Sequence, residues 1–431
     1  MKRLLLLALV GCVPSATELR RPVDRELAQR LGAPIAPVEI DKLLAAPLDA
    51  AAATKIALAN SARLAAAYDQ LGIAAGDVAS ALGLGPVSID LMARFGGGGH
   101  ELEVAAVQNL IGLLTAPRRR AAATAELAAV RAQAVATALR LVARVEIAFR
   151  DLLAAQQELE LRHTAFDAAD AAALVRERMA EAGTTTELAL ARDRDAREQA
   201  RIDVARAEAE IEARREKLNA LLGLTGAETS WTATGALPDV GAAPALDGIE
   251  AGAVTASLEL EADRDRVAAA ANRAGDERVR RWLPELGVGV SAISDDFVLK
   301  VGPALRLGLP LFDHRGGQVA RAEAELRARQ HELTATAVEL RARARAARIA
   351  TLAAFEEARH LHDIVLPLRQ QIVDETLLHY NAMDADPFQL IVARRELVDA
   401  GHQYLDALRR YWNGMTATTA LTRGVTLEEL P

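Results

Sequence analysis

Few residues in this 431-residue chain are placed to do chemistry. Cys12 is the only cysteine, so no internal disulfide can form. It closes the run Leu9-Val10-Gly11-Cys12, after a positive start (Met1-Lys2-Arg3) and a short apolar stretch from Leu4 to Val10. That is the pattern of a bacterial lipobox, in which the leader is removed and the cysteine becomes the acylated first residue. The alternative is an ordinary signal peptide with an incidental cysteine. Val13 follows where an aspartate would have indicated inner-membrane retention, so the outer membrane is expected. The lipid on Cys12 is the only attached group foreseen, with no other cofactor. His360, His362 and Asp363 come nearest to a metal cluster, but helix positions two apart face different ways. GxxxxGK[ST], HExxH and paired cysteine ligands are missing, and Gly96–Gly99 lacks the strand–GxGxxG–helix context of a phosphate loop. Five methionines, one of them the initiator, give no relay for soft metals. No catalytic residue and no metal site are expected.

The elements that could carry a different role are long. Hydrophobic residues make up 51% of the chain and aromatics only 3%, a balance that favours extended alanine- and leucine-rich helices over a compact enzyme core. A net charge of −8 argues against nucleic acid as a partner, because phosphate binding needs excess positive charge. Past the leader, no stretch reaches the ~20 apolar residues that a membrane helix requires. A membrane crossing would have to be a β-barrel.

Alternation of apolar and polar residues marks four strands. Val87, Ile89, Leu91, Ala93 and Phe95 fall on one face and Ser88, Asp90, Met92 and Arg94 on the other. After a turn at Gly96–Gly99, Glu101 to about Leu110 can return. The pattern recurs at Glu285–Ala292 and at Phe297–Leu309, with Pro303 suggesting a bulge or an edge position.

Each strand pair precedes a helical hairpin. Ala121–Glu181 has neither proline nor glycine, and Val135, Val142 and Phe149 interleave with Ala138, Val145 and Leu152 at heptad spacing, a coiled-coil seam. About sixty residues at ~1.5 Å each make a rod of roughly 90 Å. Gly183-Thr184-Thr185-Thr186 forms its tip, and a second helix runs to Leu222. The later hairpin starts at Gly316, is interrupted by Pro367, turns at Met383–Pro387 and returns from Phe388 to about Thr422. Thr186 and Asp386, 200 positions apart, both sit where an N-cap is wanted, and Gln389 completes a capping box with Asp386. The chain therefore divides into a signal peptide (1–11), a polar leader (12–37), a first repeat (38–246, helical hairpin about 117–222), a second repeat (247–425) and a tail (426–431). The fold expected is mainly α with a membrane β-barrel.

Four strands cannot enclose a pore, since even eight fill their own interior. Three chains give twelve. The apolar phase would then face lipid, and Asp90, Arg94, Glu103, Lys300 and Arg306 would line the lumen. Phe95, Trp282, Phe297 and Phe312 fall at strand ends, the place of aromatic belts. The alternative for any one strand is a soluble sheet with its polar side solvated.

In order and spacing, NSARLAAAYDQLGIAAGD, AFRDLLAAQQELELR, EAGTTTELALAR, LNALLGLTG, RRWLPELGVGVS, LRLGLPLFDHRGGQVARAEAEL and HYNAMDADPFQLIVARREL resemble the TolC-like outer-membrane efflux family, over roughly residues 38–425. The resemblance implies a homotrimer with a twelve-stranded barrel above a helical tunnel. It also implies export of small molecules, metal ions or proteins, with a periplasmic adaptor and an inner-membrane pump as partners. Gly183, Thr184, Thr185, Thr186, Tyr380, Met383, Asp384, Asp386 and Gln389 would then lie at the docking and gating end. Tyr380 matches the family's tip tyrosine. The usual glycine three residues on is Met383, and the acidic positions of some members are Gln389 and Val392. Asp384 and Asp386 could supply negative charge one turn earlier, or serve only as turn and cap residues.

Two other roles compete with the channel. A lipid-tethered coiled-coil adaptor or spacer would carry one helical hairpin flanked by compact β-domains, and an envelope hydrolase would need a nucleophile constellation that the chain does not offer.

Overall fold

A computed structural model of the protein describes residues 14–34, 38–82, 87–96, 99–295, 298–308, 314–385 and 387–427. Helices are α1 (Ala16–Leu31), α2 (Ile40–Leu44), α3 (Ala50–Asn60), α4 (Ala62–Leu82), α5 (Ile111–Glu181), α6 (Glu187–Leu222), α7 (Ile249–Ala256), α8 (Leu258–Trp282), α9 (Gly316–His360), α10 (Leu366–Asn381) and α11 (Pro387–Thr422). Strands are β1 (Val87–Gly96), β2 (Gly99–Asn109), β3 (Glu285–Asp295) and β4 (Val298–Gly308). The expected strands therefore form within a few residues of the bounds read from alternation. Leu309 and Phe297, at the ends of the expected fourth strand, lie outside the described residues, as do the turn residues Gly97 and Gly98.

The helical segments differ from expectation in three places, each with a local cause. The polar leader contains α1, which accommodates Pro22 and buries Val23 and Leu27 completely. Helix α5 begins at Ile111, ahead of Pro117. The Asn109 side chain accepts from the Ile111 N–H (2.9 Å) as a cap, and Arg119 donates to the Gly112 carbonyl (2.8 Å), satisfying one carbonyl near the proline. Pro367 does not break its helix; one π turn at Leu361–Val365 widens the backbone just ahead of it and joins α9 to α10.

Contacts divide the chain into two compact units. The first takes residues up to Gln29, Ala65–Ala136 and Leu258–Glu339, and contains the sheet. The sheet is antiparallel with order β1-β2-β3-β4, so the β2–β3 pair joins the two repeats. Around it, Arg280 reaches Thr115 (3.3 Å), Arg118 the Gly275 carbonyl (3.0 Å) and Arg315 Glu277 (3.0 Å). Tyr68 donates to Asp24 (2.9 Å), and burial together with that carboxylate pushes its phenol up to about 12.

The second unit takes Arg30–Leu64, Thr137–Ser257 and Leu340–Pro431. Val145, Phe149 and Leu152 of the α5 seam pack with Ile56 of α3, Leu218 and Leu222 of α6, and Trp231. The Gly223–Leu246 connection is part of this core. Trp231 donates to Asn219 (2.8 Å), Leu48 and Thr234 pair their backbones, and Leu237 inserts between Ala358, Leu361, Tyr404 and Leu408. All six of these residues are buried, together with neighbours on other faces of α5 such as Leu139, Ala143 and Leu153.

Candidate functional site

The sheet has reversed polarity for a protein in water. Its register puts Ile89, Leu91, Leu102, Val104, Val288, Val290, Leu299, Val301, Leu305 and Leu307 on one face. That face is bare: Leu305, Ile89 and Leu91 are 73%, 72% and 70% exposed. A contiguous apolar surface of this kind is what lipid covers in a transmembrane barrel.

The opposite face is polar and concave. Arg306 on β4 bonds Asp90 on β1, bringing the two edge strands together across it. Between β2 and β3 the bend is sharp, for a Cβ on Gly289 would sit 1.9 Å from the Ala106 carbonyl oxygen. Only glycine permits that approach. Arg94 faces Glu101 (3.2 Å) and Glu103 (3.8 Å), and Arg306 also meets Glu285 (3.8 Å). Asp90, Arg94, Glu103, Lys300 and Arg306 thus share one face, the one opposite the apolar surface. These exposed pairs add about 0–1 kcal/mol each, so their effect is on the electrostatics of the surface more than on stability.

The four aromatic positions fare differently. Trp282 ends α8, three residues before β3, and is 76% exposed with the Arg281 guanidinium 5.5 Å from its ring centroid. Phe95 belongs to β1, opposite His100. Phe297 and Phe312 lie outside the described residues, as do Cys12 and Asp386.

Both helical tips belong to the second unit. At the first, Gly183 takes φ +68°, its N–H donates to the Ala180 carbonyl (3.0 Å), and the Thr184 N–H donates to that of Met179 (2.8 Å). Thr186 caps α6 by accepting from the Ala189 N–H (3.2 Å). Arg176 pairs with Asp193 at 2.6 Å, side chains 14% and 10% exposed, and reaches Thr185 (3.4 Å). At the second tip Met383 takes φ +59° and is 96% exposed. Its N–H donates to the Tyr380 carbonyl (3.0 Å), the Asp384 N–H donates to that of His379 (2.9 Å), and Asp384 bonds the His379 ring (2.9 Å). Tyr380, Gln389 and Val392 are exposed.

Sequence patterns did not disclose a polar cluster within the second unit. The Asp151 carboxylate is buried and accepts from Asn413 (2.9 Å) and Arg409 (3.5 Å), with Arg214 at 3.7 Å. Nearby, Glu158 bonds His402 and Arg162. Burial opposes ionisation of Glu158, but these two partners outweigh it and hold the carboxyl below its usual range. A cleft of ≈ 290 Å³ lies beside them, lined by Glu158, Glu210, Arg214, His402, Asp406 and Arg409. Salt-bridged helix faces of mixed sign account for this chemistry. Among the described residues no group of three histidine, cysteine or carboxylate side chains could hold a metal. His362 instead bonds Asp363 (2.8 Å) and packs its ring at a tilt against Tyr404.

No protein-family model matches the chain, and no curated protein matches it in sequence. Solved structures do match in three dimensions. The outer membrane protein VceC of Vibrio cholerae superposes with a TM-score of 0.71 at 17% identity, covering 96% of this chain and 100% of its own. A membrane protein of Pseudomonas aeruginosa gives 0.75 at 16%, covering 88% and 90%. The open state of the MtrE outer membrane channel of Neisseria gonorrhoeae gives 0.65 at 16%, with the same coverage of 88% and 90%. The likeness spans the sheet and both helical hairpins, and the chain therefore has the fold of the TolC-like outer-membrane efflux channels.

Proposed function

We propose that three copies of this chain form an outer-membrane channel, a passive conduit for small molecules from periplasm to exterior. The observation that carries this is the polarity of the sheet. Its apolar face is exposed along all four strands, while its charges lie on the concave side. Lipid outside and water inside satisfy both faces, and twelve strands are enough to enclose a pore. The fold shared with VceC and MtrE supports the same reading.

The helical tips are proposed as the end that meets a periplasmic adaptor, with an inner-membrane pump beyond it. Cys12 is proposed as the acylated anchor. A lipid-tethered adaptor without a pore is the weaker alternative, because it gives no reason for a bare apolar sheet.

Membrane fractionation with crosslinking, followed by mass measurement of the amino-terminal peptide, tests the proposal. A trimer in the outer membrane with a lipid-modified Cys12 peptide is expected. A soluble monomer would sink the channel, and an unmodified peptide would sink the anchor alone.

A further inference from the structure

A cleft of ≈ 320 Å³ and mixed charge lies in the first unit, between the start of α5, the end of α8 and the start of α9. Of its arginines, Arg273 is paired with Glu126 (3.0 Å), and Arg118 uses one nitrogen to bond the Gly275 carbonyl (3.0 Å). Arg119 donates one nitrogen to the Gly112 carbonyl (2.8 Å), while its Nε–H is buried and has no partner. Of the carboxylates, Glu277 is met by Arg315 (3.0 Å). One oxygen of Asp276 meets Arg280 (3.0 Å), and the other, Oδ1, is buried without a partner. Arg321 and Glu325, one turn apart on α9, are exposed and have no ion partner among the described residues. An unmet donor and an unmet acceptor in one cleft, each beside a free charge of its own sign, suit a ligand that carries both signs.

The surroundings favour a lipid over a soluble ion. Arg118 lies seven residues into α5 and Asp276 six residues before the end of α8, so both are about 10 Å from the sheet-side helix ends. Headgroups occupy roughly 5–8 Å beyond the hydrocarbon on each side, and arginine side chains extend toward that layer. Between cleft and sheet, Leu113 and Leu114 of α5 and Trp282 of α8 are exposed. Leu114 precedes Arg118 by one turn and shares its face of the helix. An acyl chain rising from the cleft would meet these side chains before the apolar face of the sheet.

We infer that this cleft binds the headgroup of phosphatidylethanolamine. The phosphate takes Arg118, Arg119 and Arg321, whose forked donors match its oxygens, and the ammonium takes Asp276 and Glu325. This rests on the outer-membrane channel proposed above, which sets these helix ends at the phospholipid leaflet facing the periplasm. Phosphatidylglycerol has no cation for the two carboxylates. Phosphatidylcholine has a cation but no N–H to donate.

The test is native mass spectrometry of the full-length trimer extracted from outer membranes, with each of the three phospholipids added in turn. Phosphatidylethanolamine is expected to bind up to once per chain, about tenfold more tightly than phosphatidylcholine. Arg321→Gln should weaken all three about tenfold, the loss of one charge-assisted hydrogen bond, whereas Glu325→Gln should weaken phosphatidylethanolamine alone by a similar factor. Arg201→Gln, which removes an exposed arginine of α6, should change neither. Equal binding of phosphatidylethanolamine and phosphatidylcholine, or no loss in Glu325→Gln, overturns the inference. So does O-phosphoethanolamine competing as well as the intact lipid, which would make the cleft a site for a soluble ligand. If Arg321→Gln dissociates trimers without altering lipid retention, the cleft is a contact between copies and the inference fails. An assembled trimer that retains no added phospholipid removes the site and leaves the channel standing, whereas a soluble monomer removes the channel itself.

Discussion

The two helical tips use one backbone turn and different side chains. Amide donors at 183 and 184 find carbonyls at 180 and 179, and donors at 383 and 384 find carbonyls at 380 and 379. Both turns place one residue in the left-handed region, Gly183 in the first and Met383 in the second. This is the ordinary way a helix ends, satisfying carbonyls that have lost their intrahelical partners. The repeat thus conserves hydrogen-bonding geometry across 200 positions without conserving the residue that suits it. Beyond the turn the tips diverge further. The first is locked by Arg176 and Asp193 and exposes Leu188 beside its threonines, whereas the second exposes Leu378, Tyr380 and Met383.

The Arg176–Asp193 lock gives the largest expected difference. Arg176→Ala leaves a mostly buried carboxylate without its cation and is expected to destabilise the first hairpin by about 3 kcal/mol, the low end for breaking a buried pair. Thermal unfolding and limited proteolysis near residue 183 would register it. Arg369→Ala, which removes the half-exposed partner of Glu396 in the second hairpin, is expected to cost under about 1 kcal/mol. Equal losses from the two would mean that the tips are not held differently.

The left-handed positions come next. A Cβ on Gly183 meets nothing within 4 Å, so substitution there is purely a matter of backbone preference. Gly183→Val is expected to cost about 2 kcal/mol, and Gly183→Met about 1 kcal/mol. Met383→Gly should move the other way, gaining somewhat less than about 1 kcal/mol, because glycine gives back part of the relief as chain entropy. If Met383→Gly also lowers export while trimers persist, the exposed methionine is a contact surface as well as a turn residue. Unchanged export would leave it as a turn residue only.

How much of this was legible follows from the kind of signal each element leaves. Alternation over Val87–Phe95 and Phe297–Leu309 marked strands because each has one apolar face, and the same pattern grouped Asp90, Arg94, Glu103, Lys300 and Arg306 before any register was known. The α5 seam was visible because buried positions recur every seven residues. The curl of the sheet was not visible, since it depends on how closely Gly289 meets the Ala106 carbonyl, a contact between repeats. The Gly223–Leu246 connection has no period that could mark it, yet Trp231 and Leu237 are buried by partners far away in sequence. Asp151, Asn413 and Arg409 were invisible for the same reason. Mixed charges along helices look solvated until another helix covers them.

The smallest effect concerns how the two hairpins are tied along their length. Glu158 on α5 bonds His402 on α11, and its carboxyl titrates below the ordinary range. A carboxyl whose folded value is depressed contributes stability above its unfolded value, near 4.3, and loses that contribution as pH falls through the folded one. Stability of the native protein should therefore drop below about pH 4.3. Glu158→Gln should remove part of that drop, while lowering stability at neutral pH by about 1 kcal/mol, because the amide oxygen still accepts from Arg162 although the charge facing His402 is lost. Calorimetry of both proteins between neutral and acid pH measures the difference. Parallel curves would show that Glu158 does not couple the hairpins, and that the contrast between the tips arises within each hairpin alone.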